Sequence, residues 1–259
     1  MSNLSNGAKI YFSIKTPWFK INITQSVITI LAVTIMLIIL ALFIKRSLKK
    51  RPGRFQVVVE KLINMLYGLV EDTMGKHNIK FAPYIGTLFL SSIFCTLLGT
   101  TQIFRSATAD LSVTLAWALV TTGMVWFCNI KNFGFFSWLK GFTEPIAVMT
   151  PMNIVSEIAQ PISLAFRHFG NIAGGGVLTA LIYTALGSLT NIAFGWMSSL
   201  LGSIPFFQVG IPAFLSIYFD LFSGFVQALV FSLLTMVYVG AANPPPPIDE
   251  STAIKEEKN

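Results

Sequence analysis

Apolar positions in this chain come in blocks much longer than a soluble core needs, and the charged positions lie between the blocks instead of alternating with them. Ile21 to Ile44 carries no charge and runs into KRSLKKRPGR, Lys45 to Arg54, which holds six basic residues and no acid. A bilayer core of about 30 Å is crossed by about 20 helical residues, so 21–44 predicts a transmembrane helix. The basic cluster keeps its end in the cytoplasm, which puts the N-terminus outside. Phe55, Val58, Val59, Leu62, Met65, Leu66 and Leu69 then recur at helical spacing, with Glu60, Lys61, Glu71 and Asp72 on the rest of the wheel. That pattern predicts an interfacial amphipathic helix over 55–76, on the inner membrane surface or packed on a partner. Uncharged stretches over 81–104 and 111–130, linked through Arg105 and Asp110, predict a transmembrane hairpin. Lys131 and Lys140 mark the inner loop, where Gly134, Gly141 and Pro145 break any helix. Two longer apolar regions follow, 152–197 and 211–241. At about 1.5 Å per residue a continuous helix over the first far exceeds the bilayer core, so it must tilt strongly or break. The tail, 243–259, opens with four prolines and has no apolar period; counting crossings leaves it in the cytoplasm.

Composition agrees with this reading. Apolar and aromatic residues make up 54% of the chain and charged residues 11%, against roughly 25% charged in soluble proteins. Between Ile158 and Ile248 the formal charges are Arg167 and Asp220 alone. The expected fold is therefore all-α and integral to the membrane, one membrane domain over 1–259. The net charge of +7 comes from basic residues flanking apolar segments, which fits positive-inside topology and not nucleic-acid binding. Met1 to Lys20 is polar and mixed, with no cleavage pattern, so the first spanning helix is retained. Cys95 and Cys128 sit in apolar runs and read as buried thiols. No GxSxG, Walker, CxxC or HExxH pattern occurs, and the chain has two histidines; neither an enzyme, a metal site nor a bound cofactor is expected.

An arginine deep in a membrane segment costs about 2.5 to 3.5 kcal/mol and faces a partner or a water-filled path. Ser163, Arg167, Asn171 and Gly174 share one helical face, and Gly174, Gly175 and Gly176 mark a place where another backbone or a bulky side chain comes close. Asp220, Ser223, Gly224, Gln227 and Thr235 form a second polar stripe expected to face the first. A structural Arg167–Asp220 ion pair and a moving counter-charge both remain open, with the second explaining an arginine better. His168 points about 100° away from Arg167 and reads as a core or interfacial histidine before a proton relay. Glu157 lines an aqueous path or sits at the headgroups. A secondary transporter with Arg167 as a substrate-anion site is the alternative, though neither inverted repeats nor a second midplane cation cluster is present.

The sequence PISLAFRHFGNIAGGGVL, Pro161 to Leu178, resembles the signature around the arginine of subunit a of F-type ATP synthases, commonly PxSLxxRLFGNxxAG. FVQALVFSLLTMVYVGAA, Phe225 to Ala242, is similar to that family's closing helix; TADLSVTLAWAL, Thr108 to Leu119, and PYIGTLFL, Pro83 to Leu90, match two earlier helices in the right order. The resemblance implies an ion-translocating half-channel subunit of the membrane sector, in a bacterial plasma membrane, packed against a rotating ring of c-type subunits and beside b-type peripheral-stalk subunits. It implies Arg167 as the stator arginine, Asn171 as its polar neighbour, Gln227 as the facing glutamine, and two steeply inclined last helices. The translocated ion is the proton, with sodium left open. Three departures stand out: Gly176 where an acid or histidine is often found, Asp220 seven residues before Gln227 where histidine or glutamate is often found, and His168 for the usual leucine. Asp220 is thus expected to carry the titratable role alone on the outer path.

Overall fold

The structure is a computed structural model that describes residues 10–15, 20–101, 106–144, 146–194 and 217–245. It opens with an antiparallel hairpin, β1 (Ile10–Lys15) and β2 (Lys20–Thr24), in which Ser13 pairs with Asn22 and Ile14 with Ile21. Residues 21–24, counted by hydropathy into the first spanning helix, are therefore strand. Their order Ile-Asn-Ile-Thr alternates with period two, which a window measuring average hydropathy does not see. Helix α1 (Gln25–Ser47) starts after them and ends on Lys45 and Arg46, cations that suit the negative end of the helix dipole.

Helix α2 (Arg54–Met74) follows a tight elbow. Gln56 latches that elbow: Lys49 N–H donates to its Oε1 at 3.0 Å, and its Nε2 donates to the Lys49 carbonyl at 3.2 Å and to Glu60 Oε1 at 2.7 Å. Val70 and Met74 are buried in the bundle, while Phe55, Val58, Leu62, Met65 and Leu69 stay exposed along one stripe. Gly75, at φ 82°, turns the chain into a 3-10 segment, Lys76–Phe81. Helix α3 (Ala82–Thr100) and helix α4 (Leu111–Phe133) form the expected hairpin, and Asp110 caps α4 by accepting from Ser112 N–H at 3.1 Å.

At Gly134, φ 83°, α4 stops, as the glycine suggests, but a short helix then forms where the sequence pointed to a plain loop. This is α5 (Phe135–Gly141), and its rings pack on each other through Phe135, Trp138 and Phe142, an arrangement suited to the headgroup layer. A turn at Ala147–Met149 leads into α6 (Thr150–Phe194), 45 residues long and continuous through Pro161 and the three glycines. It does not break. At about 1.5 Å per residue α6 is about 68 Å long, so an inclination of about 60° is needed to hold it within a 30 Å core. Residues 195–197 of the expected helix, 211–216 of the next one and the tail beyond 245 lie outside the described residues. Described structure resumes in a π-helical turn, Ile217–Phe222, which passes into α7 (Ser223–Ala242).

Helix α7 is the most enclosed, buried through Gln227, Ala228, Phe231, Ser232, Thr235, Met236 and Val239 against α2, α3, α4 and α6. Five helices, α1, α3, α4, α6 and α7, are long and apolar enough to cross a membrane, and the chain is a multi-pass membrane protein. The ends of α2, α4 and α7 are tied by amides. Asn78 Nδ2 donates to the Met74 carbonyl at 2.8 Å and to the Asn243 carbonyl at 3.0 Å, and Asn132 Nδ2 donates to the Ala242 carbonyl at 3.1 Å.

Candidate functional site

Helix α6 sorts its residues by face. Pro161, Leu164, Ala165 and His168 are buried at spacings of three, one and three, whereas Ser163, Arg167, Gly170 and Gly174 are exposed. Arg167 thus projects from the outside of the bundle and has no ion-pair partner among the described side chains. A side chain built on Gly170, Gly174 or Gly176 would meet nothing within 4 Å. The close approach these glycines allow is therefore not made by any described part of this chain.

Asn171, one turn beyond Arg167, rotates inward towards α7. Ser223 Oγ donates to its Oδ1 at 2.7 Å, and its Nδ2 donates to Gln227 Oε1 at 3.5 Å, the long limit of such a bond. Three of the residues expected on facing stripes, Asn171, Ser223 and Gln227, are thereby in contact. The rest of the second stripe divides: Gly224 packs against Thr96 of α3, and Thr235 is buried in the bundle. Gln227 Nε2, Ser232 Oγ and Thr235 Oγ1 are buried without a hydrogen-bond partner among the described residues. Asp220 belongs to the π-helical turn one helical turn before Gly224; its side chain lies outside the described residues, and so does any pairing with Arg167.

His168 turns into the core. Its Nε2 is 3.1 Å from Ser92 Oγ, and its ring meets Trp117 and Phe231 edge to face. Glu157 is half-buried near the start of α6, where Trp126 Nε1–H donates to its Oε1 at 2.5 Å. It lines a cavity of about 550 Å3 with Glu144, Asn129, Asn153 and Ser156. Asn153 holds the rim by donating to the carbonyls of Phe142 and Glu144, at 2.8 and 3.1 Å. Sequence reasoning missed Ser92, Trp126 and Glu144. Ser92 had one visible signal, a Ser-Ser pair inside an apolar helix; the other two acquire their positions only through the fold. Cys95 and Cys128 are buried and unbridged.

Residues 26–240 match the family model described as ATP synthase A chain. The chain is 33% identical over 232 residues to "ATP synthase subunit a, sodium ion specific" of Propionigenium modestum, covering 84% of this chain and 73% of that one. It is 31% identical over 226 residues to "ATP synthase subunit a 1" of Crocosphaera subtropica, covering 86% and 89%, and 32% identical over 191 residues to "ATP synthase subunit a" of Desulforamulus reducens, covering 73% and 68%. A match that runs from the second residue of α1 almost to the end of α7, together with relatives this similar over most of their length, means that the chain belongs to the ATP synthase subunit a family.

Proposed function

We propose that this ATP synthase subunit works as the half-channel of the membrane sector, passing protons to and from the carboxylates of a rotating ring of c-type subunits. In this reading it is not catalytic by itself, it stands beside b-type peripheral-stalk subunits, and it lies in a bacterial plasma membrane with its N-terminus outside and its C-terminus cytoplasmic. One observation carries the proposal: Arg167 is exposed on the outer face of the 45-residue helix α6, flanked by Ser163, Gly170 and Gly174, with open space over the glycines. A guanidinium facing lipid would be costly, and a ring helix carrying a carboxylate removes that cost.

A guanidinium keeps its charge in any protein environment and presents a planar fork to a carboxylate. At about 4 Å and an effective dielectric near 20 the attraction is roughly 4 kcal/mol before desolvation, enough to favour the ionised form of an arriving ring carboxylate. Each charge crossing the membrane potential releases about 2.3 kcal/mol per 100 mV. That energy is captured only if the ion cannot cross directly, so two aqueous paths must end on opposite sides of Arg167. Glu157 and its cavity support a path at the end where α4 stops and α6 begins; Asp220, with Asn171, Ser223 and Gln227 close by in the fold, supports the other. Asp220 is assigned the titratable role on the outer path. The decisive experiment is ATP-driven pumping by the reconstituted complex carrying Arg167→Lys. Pumping should fall to background, and pumping retained at the parental rate would remove Arg167 from the mechanism. The Propionigenium modestum relative is named sodium ion specific; the same assay with and without sodium decides the ion here.

A further inference from the structure

We infer that Ser92 and His168 form a pin that sets the roll of α6 about its own axis and so aims Arg167 outward; His168 is a positioning residue, and this inference rests on the reading of Arg167 given above. The geometry is specific. A single ring on α6 touches three other helices: Ser92 Oγ on α3 lies 3.1 Å from its Nε2, Trp117 on α4 has its centroid at 6.1 Å, and Phe231 on α7 has its centroid at 5.3 Å. Trp117 and Phe231 also meet each other, 6.4 Å apart and edge to face, so the three rings close a triangle. His168 is wholly buried and Ser92 is 1% exposed.

Packing alone does not call for a histidine here. The cluster around it, Leu88, Ala118, Leu164, Ala165 and Phe231, is apolar, and the other ring nitrogen, Nδ1, has no hydrogen-bond partner among the described residues. A leucine would fill the slot and remove the unsatisfied Nδ1, a deficit that has a real cost, but it would forfeit the bond to Ser92 Oγ. What the imidazole adds is direction. Apolar contacts tolerate rotation of a helix, whereas a hydrogen bond keeps its strength only within a few tenths of an ångström. Side chains end about 5 to 6 Å from a helix axis, so a roll of about 10° moves Nε2 by about 1 Å and breaks the bond to Ser92. The same roll swings the neighbouring stem of Arg167 by a similar distance, and a misplacement of about 1 Å can cost two orders of magnitude in a positioned reaction. The pin is needed because α6 packs along one face alone beside Arg167, leaving Ser163, Phe166, Arg167 and Gly170 exposed.

The test uses the assembled, reconstituted complex with His168→Leu, His168→Gln and Ser92→Ala. For each, three quantities are read: the amount of chain in the complex, ATP-driven pumping, and the ratio of thiol-labelling rates at Ser163→Cys and Phe166→Cys, which lie about 60° apart on the exposed face. Cys95 and Cys128 are replaced by alanine throughout. In His168→Leu and Ser92→Ala the labelling ratio should shift by about fivefold, the population change expected on losing one hydrogen bond, and pumping should drop. His168→Gln, which keeps a polar group near the Nε2 position, should restore both. An unchanged labelling ratio in Ser92→Ala overturns the pin, whether pumping survives or not, since loss of pumping alone would make His168 something other than an orienting residue. A shifted ratio with normal pumping upholds the pin and sinks the reading of Arg167 instead. Should His168→Leu fail to assemble, Ser92→Ala, the smaller change, still decides.

Discussion

At Gly224 a single atom decides a helix contact. A Cβ there would run into Thr96 Cγ2, so α3 and α7 touch because this position has no side chain. Gly224→Ala should destabilise the complex by about 1–3 kcal/mol, the usual cost of overpacking, seen as a lower melting temperature in detergent. Thr96→Ser in the same chain should restore it, since it deletes Cγ2 and keeps the hydroxyl that donates to the Ser92 carbonyl at 3.0 Å. Around Arg167 the residues should rank unequally. Gln227→Ala removes an acceptor held at 3.5 Å and should slow pumping no more than about fivefold, the effect of one weak neutral hydrogen bond. Asp220→Asn removes a titratable group and should slow proton-driven ATP synthesis far more at unchanged assembly; synthesis at the parental rate would make Asp220 structural.

Among the elements, α2 joins two environments. Its C-terminal turn is fixed by buried Val70 and Met74 and by the amide knot at Asn78, while the stripe from Phe55 to Leu69 faces outward. The period identified the helix and its apolar face, yet it could not say which end the bundle would hold. Asn78→Leu should lower stability by about 1–3 kcal/mol by removing the side-chain donor to the Met74 and Asn243 carbonyls, of which Asn243 keeps its contact with His77 Nε2, and thermal unfolding of the complex measures it. Leu62→Asp should leave that melting temperature nearly unchanged and weaken quenching of a label on α2 by brominated lipid, because Leu62 is 57% exposed and touches the surroundings more than the bundle.

At the scale of the whole molecule, the helix ends sort by sequence order: the end of α4, α5 and the start of α6 build the Glu157 cavity together. If that cavity opens on the cytoplasmic side, Ser156→Cys should react with an impermeant maleimide in inside-out vesicles and not in right-side-out ones. The opposite pattern would invert the topology drawn from the Lys45–Arg54 cluster. Glu157→Gln should then slow ion exchange on that side without altering labelling at position 156.

Hydropathy and spacing by themselves determined the membrane, the five spanning helices, the long fourth span and the prominence of Arg167, because each follows from local chemistry: a bilayer accepts no unpaired backbone, and a helix places residues on faces by arithmetic. Spacing also put Asn171, Ser223 and Gln227 on facing stripes, and these three meet in the fold while Ser163, Arg167 and Gly174 of the first stripe face outward. Tertiary structure alone decided the rest. It gave residues 21–24 to a strand, turned the Gly134–Gly141 loop into α5, and left α6 unbroken at Pro161. It also joined Ser92 to His168 across 76 positions and Trp126 to Glu157 across 31. Those pairings depend on which helices become neighbours and how each is rolled, and no local pattern of apolar and polar residues encodes that.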